Sequence, residues 1–143
     1  MIKESPLELL TNKNLLKQLF GFFLFPIIIL VIHGILSILN VYRTIWWSDI
    51  VMHFIGGVAI GRSYFLLLKL VQKKGYLGNT HTFIFFIFVI SLVGLTIVAW
   101  EFLEFSSDYL FNTNAQPSLD NTIQDMFLGL IGGLSGYFII KKS

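Results

Sequence analysis

Four stretches of this chain are long and apolar enough to cross a bilayer, and this constrains the fold more than any single residue. A helix needs roughly 20 mostly apolar residues to span the hydrocarbon layer. Residues 20–41, 48–71, 82–104 and 122–140 each meet that length. Each also exceeds the ~10–14 residues at which a buried helix of a water-soluble domain becomes the better reading. Composition points the same way. Apolar residues make up 55% of the chain and charged residues 13%, against about 25% charged in a soluble domain. In water the fifteen phenylalanines would have to lie in wide exposed patches; lipid tails solvate them. The expected fold is all-α: a polytopic membrane protein, a four-transmembrane-helix bundle forming a single membrane domain over residues 1–143.

Before the first span, "SPLELL" reads as a helix start, with Ser5 as cap, Pro6 at the first helical position and Glu8 completing a capping box. Leucines mixed with Lys13 and Lys17 then suggest an interfacial helix over residues 1–19 that turns into the membrane. A first span that simply starts early fits equally well. The first apolar run is too long for a signal peptide's core, and no A-x-A-like site follows "HGILSILN".

Lysines and arginines set the expected orientation. The N-terminal segment has Lys3, Lys13 and Lys17, the second connection Lys69, Lys73 and Lys74, and the C-terminal end Lys141 and Lys142. The first connection has only Arg43, and "FSSDYLFNTNAQPSLDNTIQD" has no basic residue. Both termini are therefore expected in the cytoplasm, with "YRTIWW" and "DYLF" supplying aromatic residues at the outer interface. Arg62, within the second span, either snorkels to the cytoplasmic headgroups or pairs with a neighbouring helix or a second subunit, so a homo-oligomer stays open. A net charge of +2, with no run of interleaved basic and aromatic residues, argues against nucleic acid. The absence of cysteine excludes disulfides and thiolate metal ligands.

With that orientation, six of the eight acidic residues fall at the outer face: Asp49, Glu101, Glu104, Asp108, Asp120 and Asp125. Their spacing pairs them. Asp49 and His53 are four apart on one face of the second span. Glu101 and Glu104 are three apart on the third, and Asn121 and Asp125 four apart on the fourth. His33, Ser37 and Asn40 extend a polar stripe along the outer half of the first. Asp120 is expected to cap the fourth helix, and Asp108 to be loop surface. An isolated Asp-x-x-x-His pair is common by chance and is equally well read as an aspartate orienting a packed histidine. Three polar pairs at one depth argue instead for a shared site. Carboxylates crowded at the edge of lipid need offsetting charge, and on that side only Arg43 is basic. A divalent metal meets the need: helix bundles build such sites from Glu-x-x-Glu and Glu-x-x-His pairs, and carboxylates mixed with imidazole suit zinc, manganese or iron.

G-x-x-x-G spacings at Gly57/Gly61, Gly129/Gly133 and Gly132/Gly136 predict close helix packing. "DIVMHFIGGVAIG" and "NTIQDMFLGLIGG" share a polar–xxx–polar pair followed by glycines at the same offset. A duplicated two-helix unit would explain that likeness, and so would common packing needs.

The order D-x-x-x-H-F-x-x-G, E-x-x-E, D-T-x-x-D-M resembles the YjdF-like group of bacterial inner-membrane proteins, and its layout is similar to that of the VanZ-like group. Here it is carried by Asp49, His53, Phe54 and Gly57, then Glu101 and Glu104, then Thr122, Asp125 and Met126, across roughly residues 46–135. Asn121 stands where the pattern has an aspartate, and Phe105 where a tryptophan is usual. The resemblance implies a small multi-pass protein of the bacterial cytoplasmic (inner) membrane and, through the VanZ-like layout, envelope or lipid chemistry.

The leading expectation is a metal-dependent site at the outer face, acting on a lipid or lipid-linked substrate as a membrane hydrolase or other lipid-modifying enzyme. Asp49, His53, Glu101, Glu104 and Asp125 would supply metal ligands and acid–base groups; Asn121 and His33 would contact substrate. Two other readings stay open. In a proton- or cation-coupled transporter the same residues would form a relay, although no matching set lies at the inner face. In a non-catalytic membrane component the cluster would be structural, and the uncharged loop "NTNAQPSL" would dock a partner, cover the site or merely connect two helices.

Overall fold

The computed structural model describes residues 13–142. Its helices are α1 (Lys13–Ile38), the single turn α2 (Val41–Thr44), α3 (Trp47–Lys73), α4 (Thr82–Phe111) and α5 (Leu119–Lys142). α1, α3, α4 and α5 are the four helices long and apolar enough to cross a membrane, and the described residues contain no strand. The shortest of the four has 24 residues, about 36 Å at the usual rise. Large apolar side chains such as Phe20, Leu95, Phe102 and Phe127 face outward from all four, the surface that lipid would solvate.

Element ends depart from expectation for local reasons. Lys13 to Leu19, the end of the expected interfacial segment, continue the helix of the first span; residues 1–12 lie outside the described residues. α1 stops at Ile38, and Asn40 takes a left-handed conformation at φ 55°, so the His33–Ser37–Asn40 stripe does not run along one helix. α4 continues well past residue 104, since no glycine or proline interrupts 105–111. It ends where Asn112 goes left-handed at φ 54° and its N–H reaches the Asp108 carbonyl, the usual helix-ending geometry. At α5 the cap is Ser118, whose hydroxyl accepts from the Asn121 N–H at 3.2 Å. Asp120 sits two positions too late to cap and lies exposed in the first turn, where its charge still suits the helix dipole. His81 caps α4 by accepting from the Phe83 N–H; that leaves His33 and His53 as the histidines available to the polar cluster.

The heart of the bundle is the pair α3 and α5, which run parallel in near backbone contact. A Cβ on Gly57 would collide with the Gly129 carbonyl, one on Gly61 with that of Gly133, and ones on Gly132 and Gly136 with those of Phe54 and Val58. All three G-x-x-x-G spacings therefore lie in one interface. Glycine is required there because only a missing side chain lets two backbones approach so closely in lipid. α4 runs antiparallel beside both, placing Ile97 against Gly129 and Val93 against Gly133. Below these, Phe65, Phe85, Phe86 and Tyr137 meet edge to face with ring centres 5.0–5.5 Å apart. α1 packs mainly on α3, with His33 also reaching Tyr42 and Trp100, and buries no residue fully. One bond fastens it. Pro26 has no N–H to give the Phe22 carbonyl, and the fully buried Ser63 hydroxyl of α3 donates to that oxygen at 2.5 Å. A carbonyl that a proline leaves unpaired in lipid needs such a partner.

These directions sort the charges. Asp49, Glu101, Glu104 and Asp125 share one end of the bundle, while Lys13, Lys73, Lys141 and Lys142 belong to the opposite helix ends.

Candidate functional site

The acidic end gathers side chains from α3, α4 and α5 around His53. Asp49, one turn earlier on α3, places Oδ1 3.4 Å from His53 Nε2. Asp125 reaches the same nitrogen from α5, with Oδ2 3.9 Å away. Both carboxylates thus approach Nε2, and Asp49 does not orient the ring from its other nitrogen. Asn121 lies one turn before Asp125 and donates its amide to Asp49 Oδ2 at 3.4 Å. From α4, Glu101 and Glu104 turn inward to 6% and 8% exposure, and Asp125 is 1% exposed. The spacing of each polar pair on one helix face explains why all of them can point inward together.

Two groups of three form, Asp49–His53–Asp125 and His53–Glu101–Glu104, and within each the candidate ligand atoms lie within 4.8 Å of one another. His53 belongs to both. Among the described residues three buried oxygens have no hydrogen-bond partner: Glu101 Oε1, Asn121 Oδ1 and Asp125 Oδ1. Buried polar atoms are almost always partnered, and leaving one bare costs about 1–3 kcal/mol, more for a charged group. All three are acceptors, so what would satisfy them is a cation or a hydrogen-bond donor. Among the described residues no lysine or arginine pairs with these carboxylates; their ionic contacts are to His53.

A supporting shell holds the cluster. Trp100, one turn before Glu104, donates its indole N–H to Glu104 Oε1 at 3.0 Å, and its ring meets His33 edge-on at 5.0 Å. The Tyr42 hydroxyl lies 2.9 Å from His33 Nδ1, so the turn α2 ties His33 to the rim of the site. Burial, and then the charges of Asp49 and Glu104, hold the Tyr42 phenol well above its ordinary range, and the hydroxyl keeps its proton. Ser37 and Asn40 are exposed and stay outside the site.

Asp108 is more than loop surface. Its carboxylate accepts from the Thr113 hydroxyl, from the Ala115 N–H at 2.7 Å and from the Gln116 N–H at 2.8 Å. The loop therefore folds back over the end of α4. That fold carries the Gln116 side chain to Glu101, where its amide donates to the backbone carbonyl and to Oε2, each at 2.9 Å. The connection between α4 and α5 thus touches the cluster directly.

Expected site residues Asp49, His53, Glu101, Glu104, Asn121 and Asp125 come together, with His33 at the edge. Gln116, Trp100 and Tyr42 were not anticipated. Trp100 was within reach of sequence reasoning, being four residues before Glu104. Gln116 and Tyr42 were not, because their places depend on how two connections fold.

A family model described as "Predicted membrane protein (DUF2238)" matches residues 7–141. A protein of Thermotoga maritima, described as an uncharacterized protein, is 28% identical over 103 residues, 71% of this chain and 52% of the relative. The chain therefore spans about half the length of that relative. No solved structure matches the chain.

Proposed function

This chain belongs to the DUF2238 family of membrane proteins, and we propose that it binds a divalent metal at the outer face of a bacterial inner membrane and uses it on a lipid or lipid-linked envelope substrate. The YjdF-like resemblance is compatible with that family. The observation that carries the reading is the set of three unpartnered buried oxygens, all acceptors, gathered beside His53.

The donor chemistry fits. A tetrahedral ion with bonds of about 2.0–2.2 Å sets its ligands about 3.4 Å apart. Asp49 Oδ1 and His53 Nε2 have that separation, and Asp125 Oδ2 needs to close only slightly on the same nitrogen. Carboxylate with imidazole favours zinc, manganese or iron over calcium or magnesium. Asp49, His53, Asp125, Glu101 and Glu104 would hold the metal, and a carboxylate not engaged on it would serve as general base. Asn121 would act as a neutral ligand, and His33 would meet the substrate. The metal would supply Lewis acidity and activation of water, which suits cleavage of an ester or phosphoester.

Transport fits less well. Between the cluster and the lysine end, the buried layer is Ala59, Phe65, Phe85, Val89, Val93 and Tyr137, and the hydroxyls of Ser63 and of the Tyr64–Thr96 pair are already engaged. No chain of free polar groups crosses it among the described residues.

Metal analysis of the detergent-purified protein tests the reading. Stoichiometric zinc, manganese or iron is expected, lost in His53→Ala and in Asp125→Asn, and a chelator should lower the melting temperature, since a ligand at 100 times its Kd stabilises by about 2.7 kcal/mol. Protein free of metal that melts unchanged when these ions are added would end it.

A further inference from the structure

A cavity of about 350 Å³ lies between α1, α3 and α4 and reaches from the polar cluster into the membrane-spanning part of the bundle. It exists because the backbones of α1 and α4 stay apart on either side of α3 and meet only through side chains. Two bridges bound the gap between them. At the acidic end the rings of His33 and Trp100 meet. Toward the lysine end Tyr64 packs edge-on against Phe23 and shares a 2.7 Å hydrogen bond with Thr96, closing a floor. Between these bridges the opening faces the side, where lipid would be. His53, common to both candidate metal groups, lines the upper end.

We infer that this crevice seats one hydrocarbon chain of a membrane lipid, entering sideways between α1 and α4, with the lipid's polar group at the His53 cluster. This inference rests on the metal-site reading for the fate of the polar group; the chain slot stands on its own geometry. His53 and Tyr64 are eleven residues apart on α3, about 16 Å along a helix. Over that length the centres of water-sized spheres have about 20 Å² of cross-section, about 5 Å across, so with a water radius of about 1.4 Å on each side the bore is about 8 Å wide. An unbranched acyl chain fits such a bore along its length. The wall is apolar along this length, from Ile27 and Leu30 on α1 to Ile60 on α3 and Ile97 on α4. Polar groups occur only at the two ends. Tyr64 and Thr96 satisfy each other, so the floor offers a chain end no unmet polar atom.

Gly56 gives a way to fill the slot. It lines the cavity, and a Cβ there would meet only Ile29, at an ordinary 3.9 Å. Gly56→Leu should therefore plug the bore without parting α3 from α5, and Ile60→Phe is a second plug placed lower.

The test uses the full chain in lipid nanodiscs containing a phosphatidylethanolamine that carries a diazirine at the end of one acyl chain. Adducts are mapped by peptide mass spectrometry, with metal content measured on the same samples. Adducts concentrated on Phe23, Ile60, Tyr64 and Thr96, falling roughly tenfold in Gly56→Leu and Ile60→Phe, would support the slot. Adducts on outward residues such as Leu95 and Phe102 alone, or cavity labelling that neither plug reduces, would overturn it. The two readings fail separately. Cavity labelling in metal-free protein keeps the slot and removes the metal, whereas stoichiometric metal without cavity labelling does the reverse.

Discussion

Asn121 is the residue at which the rival accounts of the cluster part most sharply. It donates to Asp49 Oδ2 through its amide while its own oxygen stays buried and unpartnered. Asn121→Asp would replace that donor with a second carboxylate facing Asp49. Without a cation the change is repulsive, since like charges crowded in a poorly solvated site disfavour one another. With a metal it adds an anionic ligand. We therefore expect Asn121→Asp to bind zinc or manganese about tenfold more tightly, a size usual for single changes around metal sites, and to melt lower than the parent only when chelated. Titration of purified protein with either metal, followed by thermal melts, checks both halves. An equal loss of stability with and without metal would mean that no cation shares the site. The inward-facing residues were legible because chemistry in lipid is spaced by the helix: Asp49 with His53, Glu101 with Glu104 and Asn121 with Asp125 could be paired by counting. Gln116 could not. It reaches Glu101 because Asp108 gathers Thr113, Ala115 and Gln116 into a folded loop, and periodicity says nothing about the path of a loop.

The four long helices could be read from length and apolarity, but their neighbours could not. The likeness between residues 49–61 and 121–133 left open whether those helices touch. They do, and in register. Asp49 meets Asn121, His53 meets Asp125, Gly57 faces Gly129 and Gly61 faces Gly133, each pair joining positions that the likeness aligns. Two helix turns of polar contact thus pass directly into two turns of glycine contact, and the site's geometry depends on how closely the glycine layers let α3 and α5 approach. Gly57→Ala should force the backbones apart and cost about 1–3 kcal/mol, as overpacking generally does. Gly34 on α1, which has open space around it, is the control, and Gly34→Ala should leave stability unchanged or slightly raised. Thermal denaturation in detergent distinguishes the two. If Gly57→Ala melts like Gly34→Ala, the close approach is not what holds the pair. The metal affinity of Gly57→Ala should fall as well, because separating the glycine layers also separates His53 from Asp125.

Across the whole molecule, four helices long and apolar enough to cross a membrane carry lysines at one end and carboxylates at the other, and this polarity would decide which compartment supplies the proposed site with the proposed substrate and metal. Lys13 and Lys17 on α1, Lys69 and Lys73 on α3, and Lys141 and Lys142 on α5 all lie toward one end. The connections at the other end hold Arg43 as their basic residue. Positive charge resists translocation across the inner membrane, so the lysine end should remain in the cytoplasm. The acidic cluster, the loop over Glu101 and the upper end of the crevice should then face outward. A substrate could reach the cluster sideways from the outer leaflet without crossing the bilayer. The chain has no cysteine, so a single introduced thiol reports its own location. Asn114→Cys lies in the exposed loop between α4 and α5, and Asn79→Cys in the exposed turn between α3 and α4. In intact spheroplasts a membrane-impermeant maleimide should label Asn114→Cys and spare Asn79→Cys until the cells are broken. The opposite pattern would place the cluster in the cytoplasm. The metal would then come from the cytoplasmic pool, and the lipid would enter from the inner leaflet, although every contact around His53 would remain as it is.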